Sequence, residues 1–105
     1  MIFQTSGFDW DEGNRAKCEK HGLSIAEIEE VFVQNVRVAP DSKHSRDEDR
    51  SIAVGKTNAG RPVFVVFTIR TKNGLRLLRP LTARYMHAKE IAFYEKAYEE
   101  ESSAL

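Results

Sequence analysis

An apolar block in the middle of the chain constrains the fold more than any other feature. Residues 63–69 read Val-Phe-Val-Val-Phe-Thr-Ile, which are mostly β-branched and aromatic types that favour strands. A block without regular polar alternation is typical of a central strand that is buried on both faces. Asn73-Gly74 follows as a hairpin signal and predicts that Leu75–Thr82 returns beside the block. Pro80 then predicts an edge or a bulge, because proline has no N–H to donate.

The rest of the chain supplies three helices and two further strands. Asp11 predicts the start of a helix that ends near His21, before Gly22. A capping box, Ser24 to Glu27, opens a second short helix. Short strands are predicted at 36–39 and 51–56 and a last helix at about 84–100, while residues 1–10 could form an edge strand or an extended arm.

This order, α-α-β-β-β-β-α, predicts an α+β fold with a small, largely antiparallel four-stranded sheet and helices packed beside it. Four residues of the last helix can pack on the sheet: Met86, Phe93, Tyr94 and Ala97. Because single cores span ~100–150 residues, we expect one domain over residues 1–105, with a core at about 8–96 and a frayed tail at 99–105.

The cysteine content and the hydropathy of the chain indicate its cellular compartment. The single cysteine, Cys18, excludes an internal disulfide and fits a reducing cytosol. The first residues show neither a basic stretch nor an apolar run of the signal-peptide kind, and no window of ~20 apolar residues could cross a membrane. We therefore expect a cytoplasmic protein.

The charge is zero overall but uneven along the chain. Residues 61–90 hold seven cationic residues against one acidic residue, a net +6, whereas residues 1–30 hold three against seven, a net −4. Zero net charge argues against strong non-specific binding to nucleic acid. A basic segment inside a neutral protein can still mark an anion-binding face. The alternative is that these cations only solvate the exposed side of a sheet.

Several short segments together resemble one protein family. They are Phe8-Asp9-Trp10-Asp11, Lys20-His21-Gly22, Ser24…Glu27, Asp41…His44-Ser45, Arg50 with Ile52–Gly55, Val63–Thr68, Ala83-Arg84, Glu90 and Tyr94-Glu95. In order and spacing they resemble the BrnT toxins of bacterial type II toxin–antitoxin systems. The resemblance covers about residues 8–96.

This resemblance implies a fold like that of the RelE toxins. It also implies RNA cleavage by a ribonuclease that needs no cofactor. The implied partners are an RNA substrate and a BrnA-type antitoxin, which would form a hetero-oligomer with the toxin and repress their shared operon through its own DNA-binding region.

Metal-free RNA cleavage needs a base, an acid and cations that stabilise the phosphorane. Histidine suits acid or base work because its ordinary pKa is ~6.5, and the arginine fork binds two phosphate oxygens. The predicted catalytic residues are Lys20, His21, Arg84 and His87, with either histidine as base or acid and with Arg84 and Lys20 on the phosphate. The predicted RNA-binding residues are Arg50, His44, Arg70 and Arg79.

Each assignment has a structural alternative. Lys20 and His21 could simply be favoured by the dipole at a helix C-terminus. Arg84 could pair with Glu90 or Glu30, and Arg50 with Asp47 or Glu48. Arg70 and Arg79 would contact RNA only from the open face of the sheet. Asp41 and His44 have a metal-ligand spacing, but that pair alone is not specific, and no metal is predicted.

Two other functions compete with the ribonuclease. One is a RelE-like binding module that pairs with an antitoxin without cutting RNA, which the neutral charge supports. The other is a DNA-binding regulator. The second helix carries Glu27, Glu29 and Glu30, which disfavours it as a recognition helix.

Overall fold

The computed structural model describes residues 5–41 and 48–103, without the side chains of Tyr94 and of residues 97–103. The elements in chain order are β1 (Gly7–Phe8), α1 (Glu12–Glu19), α2 (Ile25–Phe32), β2 (Arg37–Pro40), β3 (Ser51–Lys56), β4 (Pro62–Lys72), β5 (Leu75–Tyr85) and α3 (Ala88–Ser103). The predicted α+β class is confirmed. The predicted fraying of residues 99–105 stays a prediction.

The sheet has five strands rather than the predicted four, in the order β1-β5-β4-β3-β2. The four strands β2 to β5 pair antiparallel, as predicted, but β1 adds a parallel strand to β5. Two residues are too short to show a strand period in sequence. Backbone bonds from the N–H of Ser6 to Arg76 O (2.8 Å) and from the N–H of Asp9 to Leu78 O (2.9 Å) fix β1 at the edge.

The hairpin between β4 and β5 forms where Asn73-Gly74 predicts it. Both residues have positive φ, 51° and 78°, as a type I′ turn requires. The predicted bulge also forms: the register shifts between Val66 and Phe67, which pair with Thr82 and Pro80, so Leu81 is the extra residue.

The end of β5 differs from the prediction. Pairing continues through Phe64 with Arg84 and Val63 with Tyr85, and α3 begins only at Ala88. Arg84 is therefore a strand residue and not the first residue of a helix. The apolar block of β4 extends β5 as far as Tyr85, because the whole length of the block offers backbone hydrogen bonds to its partner strand.

The core lies between α2 and one face of the sheet. Phe32 is fully buried, and its ring meets those of Phe8 and Phe67 edge-on, with centroids 5.8 and 5.2 Å apart. The helix comes close to the sheet at Gly55, where a β-carbon would lie 3.0 Å from Val31 Cγ1. Cys18 is part of this core, and burial raises the pKa of its thiol to about 11, so it is an unreactive packing residue.

Helix α1 runs alongside β5, on the C-terminal side of Leu77 and Leu78, which pair with β1. Asp11 caps its N-terminus in a capping box with Asn14. The Asn14 side chain also donates to Pro80 O at 2.8 Å and to Asp9 O at 2.9 Å. At the other end, a β-carbon on Gly22 would lie 4.0 Å from the Tyr85 ring. The helix thus follows β5 from Pro80 to Tyr85.

Helix α3 does not pack as expected. The Phe93 side chain is 77% exposed, so the prediction that it covers the sheet is wrong. Met86 is half-buried and precedes the helix. The side chain of Tyr94 lies outside the described residues. Among those residues, no helix is long and apolar enough to cross a membrane.

Candidate functional site

The sheet face opposite α2, here called the open face, carries three of the predicted residues. Directly paired residues of neighbouring strands point to the same face. Phe64 pairs with Arg84, Thr68 with Arg79, and Arg70 with Leu77, all on the side away from α2. Arg70 and Arg79 therefore lie on the face that contact with RNA requires, and Arg84 lies on the same face.

Arg84 is held by Glu90 at the far end of this face. Its Nη1 and Nη2 donate to Glu90 Oε1 and Oε2 at 2.7 and 2.8 Å, and its guanidinium lies 4.5 Å from the centre of the Phe64 ring. The structural alternative, an ion pair with Glu90, is present. Glu90 also accepts the backbone N–H of His87 at 2.9 Å. One carboxylate thus joins two predicted catalytic residues.

Lys20 and His21 reach the same end of β5 from α1. Both side chains are exposed at the C-terminus of that helix. Gly22 follows with φ 93° against the Tyr85 ring, and His87 lies two residues beyond Tyr85 in the chain. The Gly22 contact therefore places the end of α1, which carries Lys20 and His21, at the end of β5 that also carries Arg84.

Tyr85, which the sequence analysis did not select, stands between these segments. Its hydroxyl donates to Glu27 Oε2 at 2.9 Å, and the Arg61 guanidinium stacks 3.4 Å from its ring centre. Burial raises the pKa of Tyr85, and the Glu27 carboxylate adds to the effect. In the sequence, only its position next to Arg84 pointed to Tyr85. That position does not reveal the hydrogen bond to Glu27.

Arg79 is more enclosed than Arg70, whose side chain is 41% exposed. The Arg79 side chain is 11% exposed, and Nη1 lies 2.9 Å from Asp11 Oδ2 and 3.4 Å from Asp9 Oδ2. Lys72 Nζ reaches the other oxygen of Asp9 at 2.9 Å. The Asp11 carboxylate raises the pKa of Arg79 further. A role for Arg79 in RNA binding stays a prediction.

The other predicted RNA-binding residues are more dispersed. Arg70 Nη2 pairs with Glu48 Oε1 at 3.3 Å across the open face. Arg50 is half-buried and lines a pocket on the same face together with Arg79. His44 lies outside the described residues, as does any metal site it would share with Asp41. Lys17 lines the pocket too, and the sequence analysis missed it because one exposed helical lysine carries no signal.

A family model for the ribonuclease toxin BrnT of type II toxin–antitoxin systems matches residues 10–90. The chain belongs to the BrnT family. No curated protein matches the sequence. Membership in the BrnT family makes this chain one of the ribonuclease toxins of type II systems, which implies an RNA substrate and an antitoxin partner. The matched BrnT range includes all four catalytic candidates and Glu90.

The ion pairs of this BrnT chain predict a loss of stability in acid. Arg84 lowers the pKa of Glu90 from 4.5 to about 2, and Arg79 with the Asn14 backbone lowers the pKa of Asp11 from 3.8 to about 2. A carboxyl group whose pKa is lowered by folding stabilises the fold at every pH above its ordinary pKa. This stabilisation is lost as the pH falls toward the lowered pKa. The free energy of unfolding should therefore decrease between about pH 4.5 and pH 2.

The measurement is urea unfolding across this pH range. Asp11→Asn with Glu90→Gln removes both ionisations while keeping the capping oxygens, so the decline should flatten. Glu12→Gln, an exposed residue in the first turn of α1, should leave the slope unchanged. An equally steep decline in the double variant would contradict the assignment.

Proposed function

We propose that this chain is a metal-independent endoribonuclease toxin that acts on RNA in the cytoplasm. The observation that supports it is that the two segments carrying Lys20, His21, Arg84 and His87 lie at one end of β5. These residues supply the three chemical roles that metal-free cleavage needs.

In this mechanism one histidine, His21 or His87, takes the proton of the ribose 2′-hydroxyl as its oxygen attacks the phosphorus. The other protonates the departing 5′-oxygen. Lys20 and Arg84 balance the extra charge of the phosphorane. The products carry a 2′,3′-cyclic phosphate and a 5′-hydroxyl. Both histidines are exposed and can reach a bound strand.

Glu90 orients Arg84 for this role without using all of its donors. A guanidinium has about five N–H groups, and the bond to Glu90 uses one on each terminal nitrogen. The remaining N–H groups can donate to a phosphate. The Phe64 ring beneath the guanidinium restricts its movement further. Glu90 is thus a positioning residue for both Arg84 and the His87 backbone.

The proposed partner is a BrnA-type antitoxin that forms a hetero-oligomer with the toxin and represses the operon through its own DNA-binding region. Co-production with such an antitoxin should restore growth and yield a complex that survives size-exclusion chromatography. An antitoxin of another type that binds equally well would contradict the pairing.

A non-catalytic binding module is the second candidate, and one observation favours it. Four cations of β4 and β5 that the register places on the open face, Lys72, Arg70, Arg79 and Arg84, each have a carboxylate partner. RNA phosphates must compete with these carboxylates, which weakens the affinity that the basic segment alone predicts.

The test is cleavage of a 5′-labelled RNA by purified protein in excess EDTA. We expect cleavage to persist in EDTA and the products to end in 2′,3′-cyclic phosphates. Ends with 3′-hydroxyls, or loss of activity in EDTA that is restored by Mg²⁺, would contradict the metal-free mechanism. Intact RNA from folded protein, free and in the presence of ribosomes, would favour the binding module.

A further inference from the structure

A pocket on the open face lies apart from the catalytic end. It has a volume of about 430 Å³ and sits where the bulge of β5 meets the first turns of α1. Its walls come from elements far apart in sequence: Gly13 and Lys17 of α1, Arg79 and Thr82 of β5, and Arg50 before β3. Only the tertiary structure assembles it.

The charge of the pocket favours an anion. Among the described residues, Lys17, Arg50 and Arg79 line the pocket against Asp41, a net charge of +2, and Asp9 and Asp11 pair with Arg79 from outside this lining. Arg79 adds a donor without a partner: its buried Nε has no hydrogen-bond acceptor among the described residues, whereas its Nη1 lies 2.9 Å from Asp11 Oδ2. Buried N–H groups without acceptors are costly, so an anion's oxygen bound there would be stabilising.

The pocket is not purely polar. Val66 and Leu81 contribute apolar side chains, and Thr82 adds a hydroxyl. A ligand that matches this lining has an anionic group beside a flat or apolar group. A nucleotide has both, in its phosphate and its base. Asp41 on the same wall repels a highly charged group such as a pyrophosphate more strongly than a singly charged phosphodiester.

We propose that this pocket binds one nucleotide of the RNA substrate, with its phosphate at Lys17 and Arg79, beside the nucleotide that is cleaved. This inference rests on the proposed function. Thr82 in the pocket and Arg84 at the catalytic end lie on the same face of β5, two residues or about 7 Å apart. A strand laid along β5 therefore reaches both sites.

The experiment uses full-length protein carrying Arg84→Ala, so that RNA is bound and not cut. Amide NMR shifts are followed during titration with adenosine 5′-monophosphate and, separately, inorganic phosphate. We expect saturable shifts at residues 13–17 and 79–82, with tighter binding of the nucleotide than of phosphate. Equal binding of both would reduce the site to a phosphate site and overturn the nucleotide assignment.

The matched variants are Lys17→Ala and Arg15→Ala. Both remove one cation from α1, but Arg15 does not line the pocket. For a short single-stranded RNA, Lys17→Ala should lower the affinity several-fold and reduce the slope of log K against log salt by about 0.7, as the loss of one phosphate contact predicts. The Arg15→Ala affinity and slope should stay as in the parent.

The outcomes separate this inference from the proposed function. If Arg84-containing protein cuts RNA but the pocket amides do not shift, or both variants weaken binding equally, the pocket inference is wrong and the ribonuclease stands. If the nucleotide binds in the pocket and RNA remains intact, the cleavage proposal fails and the pocket inference stands.

Discussion

Replacing Arg84 by alanine should lower RNA cleavage by about 100-fold or more and abolish growth arrest, because a preorganised donor to the phosphorane is lost. The change removes both bonds to Glu90, but the side chains of this pair are 32% and 34% exposed, so the fold should persist. The measurement is single-turnover cleavage of a labelled RNA, with growth after induction as the cellular readout.

Arg76→Ala is the matched control, since Arg76 is an exposed arginine on the same strand, β5. It should cut RNA at the parental rate. Binding of the antitoxin and an unchanged circular dichroism spectrum would show that Arg84→Ala is folded. Full cleavage by folded Arg84→Ala protein would remove Arg84 from the phosphate role and leave its pair with Glu90 as purely structural.

Replacing Phe32 by alanine should cost about 3–5 kcal/mol of unfolding free energy, the range for deleting a buried aromatic ring. Phe32 is fully buried and meets both Phe8 and Phe67 edge-on, so the cavity would open between α2, β1 and β4. For a domain of this size the midpoint of thermal unfolding should fall by at least ~12 °C.

Val33→Ala is the control, because Val33 is next in the chain and 65% exposed. It should change the stability by less than about 0.5 kcal/mol. Denaturant unfolding followed by Trp10 fluorescence compares the two variants. A Phe32→Ala midpoint close to the parent would mean that the ring cluster is not central to the core.

The hairpin and the helix starts could be predicted because local chemistry fixes them. Asn73-Gly74 is suited to the two positive φ angles of the turn, and Asp11 and Ser24 each accept a backbone N–H of their own helix. These interactions involve neighbours in the chain, so residue types alone reveal them. The family resemblance rests on such local segments and is confirmed.

Features that depend on distant partners could not be predicted in this way. The sequence left open whether residues 1–10 form an edge strand or an extended arm, and β1 forms because its backbone pairs with Leu77 and Leu78. Phe93 is exposed although a helix containing it could have packed on the sheet. The sequence left open whether Arg84 pairs with Glu90 or Glu30, and it named no partner for Arg79 or Arg70. Only the structure shows that Glu90, Asp11 and Glu48 already pair with them.

The sequence by itself determined the strand-rich centre, the capped helices and the family, because each follows from side-chain preferences within a few residues. The tertiary structure alone decided that the end of α1 carrying Lys20 and His21 lies at the same end of β5 as Arg84, and that Lys17 shares a pocket with Arg79. The physical reason is that α1 follows β5 through the bonds of one buried asparagine, Asn14, to backbone carbonyls, and no local pattern encodes that contact.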